Sequence, residues 1–409
     1  MNDFLKAVSF PYSGLRKGQA EFLKQVYQTI EDKGKLLVCA PTGLGKTVAA
    51  LAPALKFAKE NDLTVICLTS RQTQANQIIK TIKDISRTSG KNFNYCAFTG
   101  KRHMCAHPER ELYAAADFND FCTKMRETGK CKYYQNVKNE DLQEQREKLL
   151  DLVSHDFFDV EGYVNLFSSN AFCPYYLLAQ KSHKADVIIC DYNYVFSPSI
   201  SENFLMHLGR PLEECIVIVD EAHNLPDRVR NNYSVQLSSE LIKNAAKELN
   251  DYIKSSQYDS IIFNLRKTFD EMFIEHFADD KKESLILKEE FISLYTQKFN
   301  ETQTLRQTIE TLFDISRKVK EDRVVSHCGR IGAFLDKWTS ADEKNYVRIF
   351  EKEDNQGRMQ LCLKLKCIDS AFSTQEVLSR VYASVLMSAT LSPLPMFQDI
   401  LGLPDAKLL

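Results

Sequence analysis

The sequence lacks the features that direct a chain into a membrane or out of the cell. The N-terminal residues Met1-Asn2-Asp3-Phe4 contain no basic segment ahead of an apolar run, and no stretch of about 18 apolar residues occurs anywhere. An excess of positive charge is missing as well, because 53 Lys and Arg stand against 55 Asp and Glu. We therefore expect a cytoplasmic protein with no membrane partner, in which any nucleic-acid binding rests on local patches rather than on overall basicity.

Disulfide bonds and zinc-finger pairs are two further features that we do not expect. The chain has 12 cysteines but no secretion signal, and the cytosol keeps thiols reduced. No Cys-x-x-Cys pair occurs, which argues against a zinc ribbon or finger. Four cysteines lie in or beside apolar, strand-like runs, where cysteine acts as a small hydrophobic residue, and we assign them to the core: Cys39, Cys67, Cys190 and Cys215.

Four other cysteines fall in one segment of the chain, with 16, 8 and 41 residues between them: Cys105, Cys122, Cys131 and Cys173. Thiolates collected from separate turns suit an iron–sulfur cluster, which four cysteines can ligate at irregular spacing. The chemistry of these residues alone leaves three alternatives open, namely a cluster, a zinc site, or buried thiols without metal.

Short apolar runs indicate the fold class. Five of them are typical of buried parallel strands, because nearly every position is apolar and helical patterns or long inserts separate them: Lys35 to Cys39, Thr64 to Thr69, Asp186 to Cys190, Ile216 to Val219 and Ala383 to Met387. They predict an α/β domain with one doubly wound parallel sheet that is interrupted twice.

The two interruptions differ in composition. The first runs from about Tyr95 to Leu178 and contains the four grouped cysteines. The second has no proline or glycine between Pro226 and Gly329, and apolar residues recur in it at helical spacing behind the possible cap Ser238. The residues that predict this helical insert are Leu241, Ile242, Ala245, Leu249, Tyr252 and Ile253.

A strand, a glycine loop and a helix follow one another in the order that a phosphate site needs. The strand leads into Ala40-Pro41-Thr42-Gly43-Leu44-Gly45-Lys46-Thr47, in which Ala40 stands where the strict pattern has glycine. Glycines let backbone N–H groups face the phosphates, and the helix N-terminus favours anions. We predict that Thr42, Gly43, Leu44 and Gly45 cradle the phosphates, that Lys46 contacts the terminal phosphates, and that Thr47 binds Mg²⁺.

A second motif, Asp220-Glu221-Ala222-His223, directly follows an apolar strand. A carboxylate at a strand end can hold Mg²⁺, while its neighbour orients and deprotonates the attacking water. We therefore predict a Mg²⁺ role for Asp220 and a catalytic role for Glu221. His223 would couple the nucleotide state to neighbouring motifs, with a structural histidine as the alternative.

Upstream, Gln19 could read adenine because an amide donates and accepts at once, with a solvated helix start as the alternative.

Four local sequences lie beside the grouped cysteines and the strand after them: Lys101-Arg102-His103-Met104-Cys105, Phe172-Cys173-Pro174-Tyr175, Ala185-Asp186-Val187-Ile188-Ile189 and Tyr192-Asn193-Tyr194. The motifs follow in the order phosphate loop, Thr69-Ser70-Arg71-Gln72 as motif Ia, four cysteines, Asp-Glu-Ala-His, helical insert and Ser388-Ala389-Thr390. In both respects, and over essentially the whole chain, the sequence resembles the iron–sulfur helicases of the XPD family, relatives of DinG.

The resemblance implies a superfamily 2 ATP-dependent DNA helicase that translocates 5′ to 3′ on single-stranded DNA and serves DNA repair. Its implied cofactors are ATP, Mg²⁺ and a [4Fe–4S] cluster on the four grouped cysteines. It implies that the cluster domain and a helical arch frame a pore for single-stranded DNA, and that Ser388-Ala389-Thr390 couples hydrolysis to unwinding. Repair proteins are implied as further partners, with a location on the nucleoid, or in the nucleus of a eukaryote.

Single strands are usually held by stacking on aromatic rings and by phosphate pairing to arginine. On this basis the predicted DNA contacts are Thr69, Arg71 and Gln74 near a strand end, together with Arg102, Tyr175, Tyr192 and Tyr194. For each tyrosine, core packing is an equal alternative.

The domain prediction divides the chain into five segments. Residues 1–95, 179–233 and 346–409 form the RecA-like domain, residues 96–178 the 4Fe–4S domain, and residues 234–345 the helical arch. The sequence stops at Leu409, where this family continues into a second RecA-like domain. That domain supplies an arginine, and in related phosphoryl-transfer enzymes such an arginine raises kcat by roughly three to five orders of magnitude. We expect the chain to bind nucleotide but to hydrolyse it poorly unless a second domain acts in cis or in trans.

A competing hypothesis is a non-motor role, in which the chain is an ATP-gated DNA-binding or scaffold module. Loss of ATPase activity in Lys46→Ala or Glu221→Gln favours the motor, and unchanged function favours the scaffold.

Overall fold

The computed structural model describes residues 5–6, 8–252, 256–277, 281–298, 304–355 and 357–409. The N-terminal sequence Met1 to Phe4 and the last residue of the predicted helical pattern, Ile253, lie outside these ranges. In the described part of the chain, no helix is both long and apolar enough to span a bilayer. The chain forms two compact units, one of residues 1–232 with 370–409 and one of residues 233–369.

The strands form two sheets. In chain order they are β1 (Lys35–Cys39), β2 (Thr64–Thr69), β3 (Tyr95–Ala97), β4 (Val187–Asp191), β5 (Cys215–Asp220), β6 (Val235–Ser238), β7 (Glu283–Leu285), β8 (Tyr346–Asn355), β9 (Arg358–Cys367), β10 (Ala383–Ser388) and β11 (Lys407–Leu408).

The helices fall between the strands and in the two long inserts. In chain order they are α1 (Gln19–Glu31), α2 (Lys46–Asn61), α3 (Gln72–Ser89), α4 (Phe118–Glu127), α5 (Lys132–Lys138), α6 (Gln143–His155), α7 (Val160–Ser169), α8 (Pro174–Ser182), α9 (Asn193–Phe196), α10 (Pro198–Leu208), α11 (Leu225–Tyr233), α12 (Ser239–Tyr252), α13 (Ser256–His276), α14 (Lys288–Thr296), α15 (Leu305–Asp322), α16 (His327–Ser340), α17 (Ala371–Arg380) and α18 (Leu394–Ile400). Short 3₁₀ turns cover Pro108–Leu112, Glu140–Leu142, Leu212–Glu214 and Ala222–Asn224.

The first unit is built on a seven-stranded sheet with the strand order β11-β1-β10-β5-β2-β4-β3. Its pairings are parallel, and β2, β5 and β10 are buried at every position. Such strands have continuous apolar sequences because helices cover both faces of a parallel sheet. The predicted α/β class with a RecA-like parallel sheet is confirmed, and all five predicted runs are strands of this sheet.

Two strands of this sheet were not predicted, because three residues in β3 and two in β11 are too few to show a pattern. The strand β3 places Cys96 and Ala97 in the main sheet, whereas the predicted domain limit at residue 95 assigns them to the cysteine-rich segment. Between β3 and β4, the chain forms helices α4 to α8 and carries the four grouped cysteines. The start of α7 is capped by Asp159, whose Oδ1 accepts the N–H of Gly162 at 2.8 Å.

The second unit combines helices with a four-stranded antiparallel sheet of order β6-β9-β8-β7. The predicted cap is confirmed, because Ser238 Oγ accepts the N–H of Leu241 at 3.1 Å ahead of the main part of α12. The unit extends to Asp369, whereas the predicted arch ends at residue 345 and is purely helical. The difference comes from β8 and β9, because residues 351–354 of β8 are all charged and residues 363–366 of β9 alternate leucine with lysine. Lys364 of β9, for example, pairs with Glu351 and Glu353 of β8.

A buried glutamate organises the helical part of the second unit. Glu248 of α12 has no exposed surface. Its carboxylate accepts the hydroxyl proton of Ser326 at 2.7 Å and the N–H groups of His327 and Cys328 at 2.7 and 3.0 Å. These are the first N–H groups of α16, which need acceptors because a helix start has none of its own. The contact therefore fixes α16 against α12.

Candidate functional site

Three motifs meet at the carboxyl edge of the parallel sheet. In the register of the central strands, Cys39 at the end of β1 pairs with Ser388 at the end of β10, and Met387 pairs with Asp220 at the end of β5. The phosphate loop, Ser388-Ala389-Thr390 and the acidic motif therefore leave three adjacent strands at the same edge. Ligands of open α/β sheets bind outside this edge.

The phosphate loop has the backbone geometry that its sequence predicts. Gly43 and Gly45 have φ of +82° and +84°, a region that side chains with a Cβ rarely adopt. A Cβ on Gly45 would also lie 2.6 Å from Nε2 of Gln19. The helix α2 begins at Lys46, whose Nζ donates to the carbonyl oxygen of Ala40 at 3.2 Å. The helix start and the loop N–H groups thus face the space in which an anion would bind.

The acidic motif is buried and strained. Asp220 is 9% exposed. Burial and the neighbouring charge of Glu221 raise the pKa of Asp220 to about 6, although the N–H of Glu221 and the charge of Lys46 act in the opposite direction. Glu221 has φ +49° and ψ +46°, the left-handed region, which costs free energy in a residue with a side chain. Strain of this kind, at a strand end facing the phosphate loop, is typical of a functional residue.

A hydrogen-bonded network joins the acidic motif to β10. Ser388 Oγ donates to Oε2 of Glu221 at 3.0 Å, and Nδ1 of His223 lies 2.7 Å from the same Oγ. The backbone N–H of Thr390 also reaches Ser388 Oγ, at 3.2 Å. His223 is therefore joined to Glu221 through Ser388, an arrangement that suits the predicted coupling role.

A cavity of about 360 Å³ lies beside the phosphate loop and is lined by Tyr12, Gln19, Thr47, Gln77 and Thr81, among others. Gln19 is 3% exposed, and its amide is largely engaged. Its Oε1 accepts the N–H of Arg16 at 3.1 Å, and its Nε2 lies 3.4 Å from the carbonyl oxygen of Gly45. Gln19 thus ties the loop to α1 at the cavity wall. The exposed ring of Tyr12 and the α3 residues Gln77 and Thr81 were not predicted, because nothing in the sequence distinguishes them from an ordinary surface.

The four grouped cysteines leave separate turns and face one another. Cys122 is in α4, Cys131 and Cys173 directly precede α5 and α8, and Cys105 follows the turn at residues 100–104. The sulfur of Cys105 accepts the N–H of His107 at 3.3 Å. Backbone N–H groups also reach Cys131 and Cys173. Bonds of this kind stabilise a thiolate, and a cluster ligand is a thiolate.

Burial of the thiol groups opposes their ionisation. It raises the pKa of Cys105 to about 11 and that of Cys173 to about 12, and the other thiols of the group add to both shifts. Arg126, which hydrogen-bonds to the sulfur of Cys122, and the half-buried Lys101 bring positive charge to the group. Four thiol groups gathered beside two cations are unusual in a hydrocarbon core, but they fit a metal centre whose ligands are ionised cysteines.

The spacing of the sulfur atoms favours a cluster over a single zinc ion. Four sulfurs around one zinc lie about 3.8 Å apart, because each Zn–S bond is about 2.3 Å and the geometry is tetrahedral. Within the described residues, no three of these cysteines have sulfurs that all lie within 4.8 Å of one another, and the set that meets this limit is Glu275, His276 and Glu290. No three of these sulfurs are thus arranged as ligands of one zinc ion, and the donor set itself, four cysteines with backbone N–H groups on three of the sulfurs, fits a [4Fe–4S] cluster.

The residues predicted to contact DNA differ in exposure. Arg71 is exposed at the start of α3, Thr69 is 4% exposed, and Oε1 of Gln74 accepts the N–H groups of Ser70 and Arg71 at 3.2 and 3.1 Å. Gln74 thus shapes the end of β2 for a ligand.

Tyr192 has no exposed surface, and its hydroxyl donates to the carbonyl oxygen of Asp220. A direct DNA contact by Tyr192 is therefore wrong for this structure, because the ring is enclosed by the sheet edge and core packing has taken its place.

A second cavity, of about 740 Å³, brings several of the other predicted contacts together. Tyr175, Tyr194 and Arg102 line it with Lys101 and Arg126. The hydroxyl of Tyr194 donates to the carbonyl oxygen of Thr99 at 2.6 Å, and Arg102 pairs with Glu111 at 2.6 Å. The Nζ of Lys101 lies 4.7 Å from the ring centre of Tyr175. Cationic groups and aromatic rings together can bind single-stranded nucleic acid, but Tyr175 and Tyr194 are 6% and 5% exposed, so core packing stays an alternative for both rings.

Two family models match the chain. One, described as DEAD_2, matches residues 68–242, and the other, described as DEAD/DEAH box helicase, matches residues 16–118. Together they cover the phosphate loop, the cysteine-rich segment and the acidic motif.

Curated relatives are similar to part of the chain. The ATP-dependent DNA helicase CHL1 of Saccharomyces cerevisiae is 29% identical over 168 residues, which are 41% of this chain and 19% of that protein. The general transcription and DNA repair factor IIH helicase subunit XPD/RAD3 of Saccharomyces cerevisiae is 21% identical over 266 residues, 59% of this chain and 33% of the relative. A regulator of telomere elongation helicase 1 homolog of Caenorhabditis elegans is 24% identical over 271 residues, which are 59% of this chain and 26% of that protein. The chain thus spans a fifth to a third of the length of these relatives.

Solved structures share the fold. A structure titled XPD_Helicase has a TM-score of 0.63 and 20% sequence identity to this chain. The alignment covers 97% of this chain and 62% of the chain in that structure. A structure titled Truncated XPD has a TM-score of 0.60 and 20% sequence identity to this chain. The alignment covers 94% of this chain and 98% of the chain in that structure. At this identity, the likeness concerns the architecture of the chain.

Proposed function

We propose, from the similarity of the chain to XPD-like superfamily 2 helicases, that it is the nucleotide-binding half of an ATP-dependent DNA helicase. We further propose that it translocates 5′ to 3′ on single-stranded DNA and acts in DNA repair, in the nucleoid or the nucleus. Its relatives include proteins named as ATP-dependent DNA helicases and as a DNA repair factor subunit.

The observation that carries this proposal is the meeting of three motifs at one sheet edge. Cys39, just before the phosphate loop, pairs with Ser388, and Met387 pairs with Asp220. We assign phosphate contacts to Lys46, with Mg²⁺ held by Thr47 and Asp220. Glu221 then orients the attacking water and takes its proton. The Ser388 hydroxyl, 3.0 Å from Oε2, holds the carboxylate of Glu221 in place.

The adenine moiety is assigned to the cavity beside the phosphate loop. Gln19 forms its wall, and the exposed ring of Tyr12 offers a face on which a base can stack. Because much of the Gln19 amide is engaged with Arg16 and Gly45, its contribution is partly to hold the loop.

The four cysteines Cys105, Cys122, Cys131 and Cys173 are proposed to ligate a [4Fe–4S] cluster. When bound, the cluster supplies iron–thiolate bonds that tie four separate turns together. The N–H groups that reach three of the sulfurs orient them, and Arg126 offsets their charge beside Cys122. Residues 98–178 are proposed as the cluster domain, because Cys96 and Ala97 belong to β3, and the second unit, residues 233–369, is proposed as the arch. Both interrupt the sequence of the RecA-like domain.

Single-stranded DNA is the proposed partner, together with a second RecA-like domain in cis or in trans and repair proteins. Arg71, Gln74 and Thr69 at the end of β2 are the proposed contacts, with Arg102, Tyr175 and Tyr194 at the larger cavity. The second domain would contribute the arginine that completes the clamp on ATP.

The experiment that tests this function is strand separation on two matched duplexes, one with a 5′ single-stranded tail and one with a 3′ tail. With the second RecA-like domain supplied, we expect ATP-dependent unwinding of the 5′-tailed duplex alone. Lys46→Ala is the matched inactive variant. Nucleotide-gated DNA binding without unwinding on either duplex would instead support a scaffold module. Robust unwinding by the chain without the second domain would contradict the assignment of half a motor.

A further inference from the structure

Tyr192 spans the carboxyl edge of the sheet between two non-adjacent strands. It directly follows β4, and β2 lies between β4 and β5 in the strand order. Neighbouring strands are about 4.8 Å apart, so the side chain crosses the end of β2 to reach β5. Its hydroxyl donates to the carbonyl oxygen of Asp220, the last residue of β5, and lies 3.1 Å from that of Glu221. The side chain is completely buried.

These two carbonyl groups flank the strained residue of the acidic motif. Glu221 has a left-handed backbone, which persists only where the surroundings hold it. Within the turn, the N–H of Asn224 reaches the Glu221 carbonyl at 3.0 Å. The Tyr192 hydroxyl, which follows a different strand, is a further donor. It serves the carbonyl oxygen of Asp220, the residue before the strained position, and that of the strained Glu221. Loss of this donor leaves the Asp220 carbonyl buried with one partner fewer, which favours relaxation of the turn.

The same hydroxyl is connected to the strand end at which DNA is proposed to bind. Ser70, the residue after β2, has its hydroxyl close enough to the Tyr192 hydroxyl to interact with it. Ser70 Oγ also lies 3.3 Å from Oε1 of Gln74. A hydroxyl has one proton to donate, so the Ser70 hydroxyl can donate a hydrogen bond to Gln74 or to Tyr192, but not to both at once. A ligand that moves Gln74 therefore changes the bonding of Tyr192.

We propose that Tyr192 is a positioning residue that holds the turn carrying Glu221 and transmits the occupancy of the β2 end to it through Ser70. The inference rests on the proposed ATP hydrolysis for its functional part. In this role Tyr192 acts through the backbone carbonyl groups of the acidic motif. Single-stranded DNA at Arg71 and Gln74 would shift the Ser70 proton towards Tyr192 and stiffen the turn.

The test compares Tyr192→Phe with Tyr95→Phe in the whole chain. Tyr95 is a matched control because it is a 2% exposed tyrosine of the same sheet whose hydroxyl donates to a backbone carbonyl, that of Phe158, at 2.6 Å. Two quantities are measured with and without oligothymidylate: hydrogen exchange of the amides of residues 221–224, and ATP hydrolysis with the protein in excess, so that slow turnover is detected. ATP affinity and thermal unfolding are recorded for each variant.

We expect Tyr192→Phe to speed exchange in the turn and to slow hydrolysis about tenfold, with ATP affinity changed less than twofold, because misplacement of a catalytic group costs rate rather than binding. The response of both quantities to oligothymidylate should also be lost, while Tyr95→Phe behaves as wild type. Ser70→Ala should reproduce the loss of the oligothymidylate response. Equal exchange of the turn in Tyr192→Phe and wild type would overturn the inference, whatever the hydrolysis rates are. A wild-type chain that hydrolyses ATP no faster than Glu221→Gln would count against the proposed function instead, and the exchange data would still decide the role of Tyr192.

Discussion

Ser388 and Glu221 are joined by a hydrogen bond of 3.0 Å, although 166 residues separate them in the sequence (388 − 221 − 1). The bond joins the small polar turn after β10 to the acidic motif after β5. It exists because β10 lies between β1 and β5 in the sheet and places the Ser388 hydroxyl between the phosphate loop and the proposed catalytic carboxylate.

The first prediction concerns this bond. Ser388→Ala should lower the rate of ATP hydrolysis by roughly tenfold, because a hydrogen bond to a charged group contributes about 1.5–3 kcal/mol. Strand separation should fall further, since His223 and Thr390 contact the same hydroxyl. The control is Ser384→Ala, on the same strand, because the Ser384 hydroxyl has no hydrogen-bond partner among the residues that the structure describes. Equal hydrolysis rates in the two variants would refute the coupling role of Ser388.

The second prediction concerns the phosphate loop. Gly45→Ala should abolish binding of a fluorescent ATP analogue, because the added Cβ meets Gln19 and the residue requires φ +84°. Gly34→Ala is the matched control, since its Cβ would approach other atoms no closer than 3.5 Å. Retention of nucleotide affinity in Gly45→Ala would show that the loop does not hold the phosphates.

The third prediction is a pH dependence. Burial raises the pKa of Asp220 from 3.8 to about 6, so the folded chain holds this proton more tightly than the unfolded chain does. The contribution of Asp220 to stability is thus fully present below pH 3.8 and is lost as the pH rises through about 6. The carboxylate needed for Mg²⁺ forms over the same range.

Affinity for Mg²⁺ nucleotide should therefore fall as the pH is lowered from 7 towards 5, with a midpoint at or below about 6, because bound Mg²⁺ favours the ionised form. Titration with a fluorescent nucleotide at several pH values measures this. Asp220→Asn should remove the dependence. A wild-type affinity that is constant over this range would contradict the Mg²⁺ role of Asp220.

The fourth prediction concerns the grouped cysteines. The chain purified without oxygen should be brown and contain four iron and four sulfide ions. The Cys122→Ser variant should lose the brown colour and these ions. Cys215→Ser is the control, because the Cys215 thiol donates to the carbonyl oxygen of Pro211 at 3.3 Å and a serine hydroxyl can do the same. Colourless wild-type protein with one zinc ion would overturn the cluster assignment.

The fifth prediction concerns the second unit. Glu248→Ala should lower its free energy of unfolding by about 3 kcal/mol, because two helix N–H groups and the Ser326 hydroxyl lose a buried acceptor. Glu240→Ala on the same helix is exposed and should change stability by less than about 0.5 kcal/mol. Chemical denaturation of the two variants measures the difference, and equal stabilities would show that the cap is dispensable.

The sequence predicts the main sheet because its strands are buried on both faces and are therefore apolar at almost every position. It predicts the phosphate loop and the acidic motif because their chemistry requires particular residues at fixed spacing. Contacts between distant segments are harder to predict. The bond from Ser388 to Glu221 depends on strand order, which local patterns do not encode.

Two differences show where sequence patterns are insufficient. In β8 and β9, charged residues resemble a solvated segment, so the sequence predicts a strand only at Gln360 to Cys367, within β9, and not the antiparallel sheet of the second unit. Tyr192 has the residue type of a stacking platform, yet it lies fully buried across the end of β2. Whether an aromatic ring faces solvent or the core depends on its neighbours in space.

The most direct test of the central claim is ATP binding and hydrolysis by wild type, Lys46→Ala and Glu221→Gln, with single-stranded DNA and the second RecA-like domain present. We predict DNA-stimulated hydrolysis by wild type, loss of nucleotide affinity in Lys46→Ala, and retained affinity without hydrolysis in Glu221→Gln. Hydrolysis by Glu221→Gln at the wild-type rate would contradict the account.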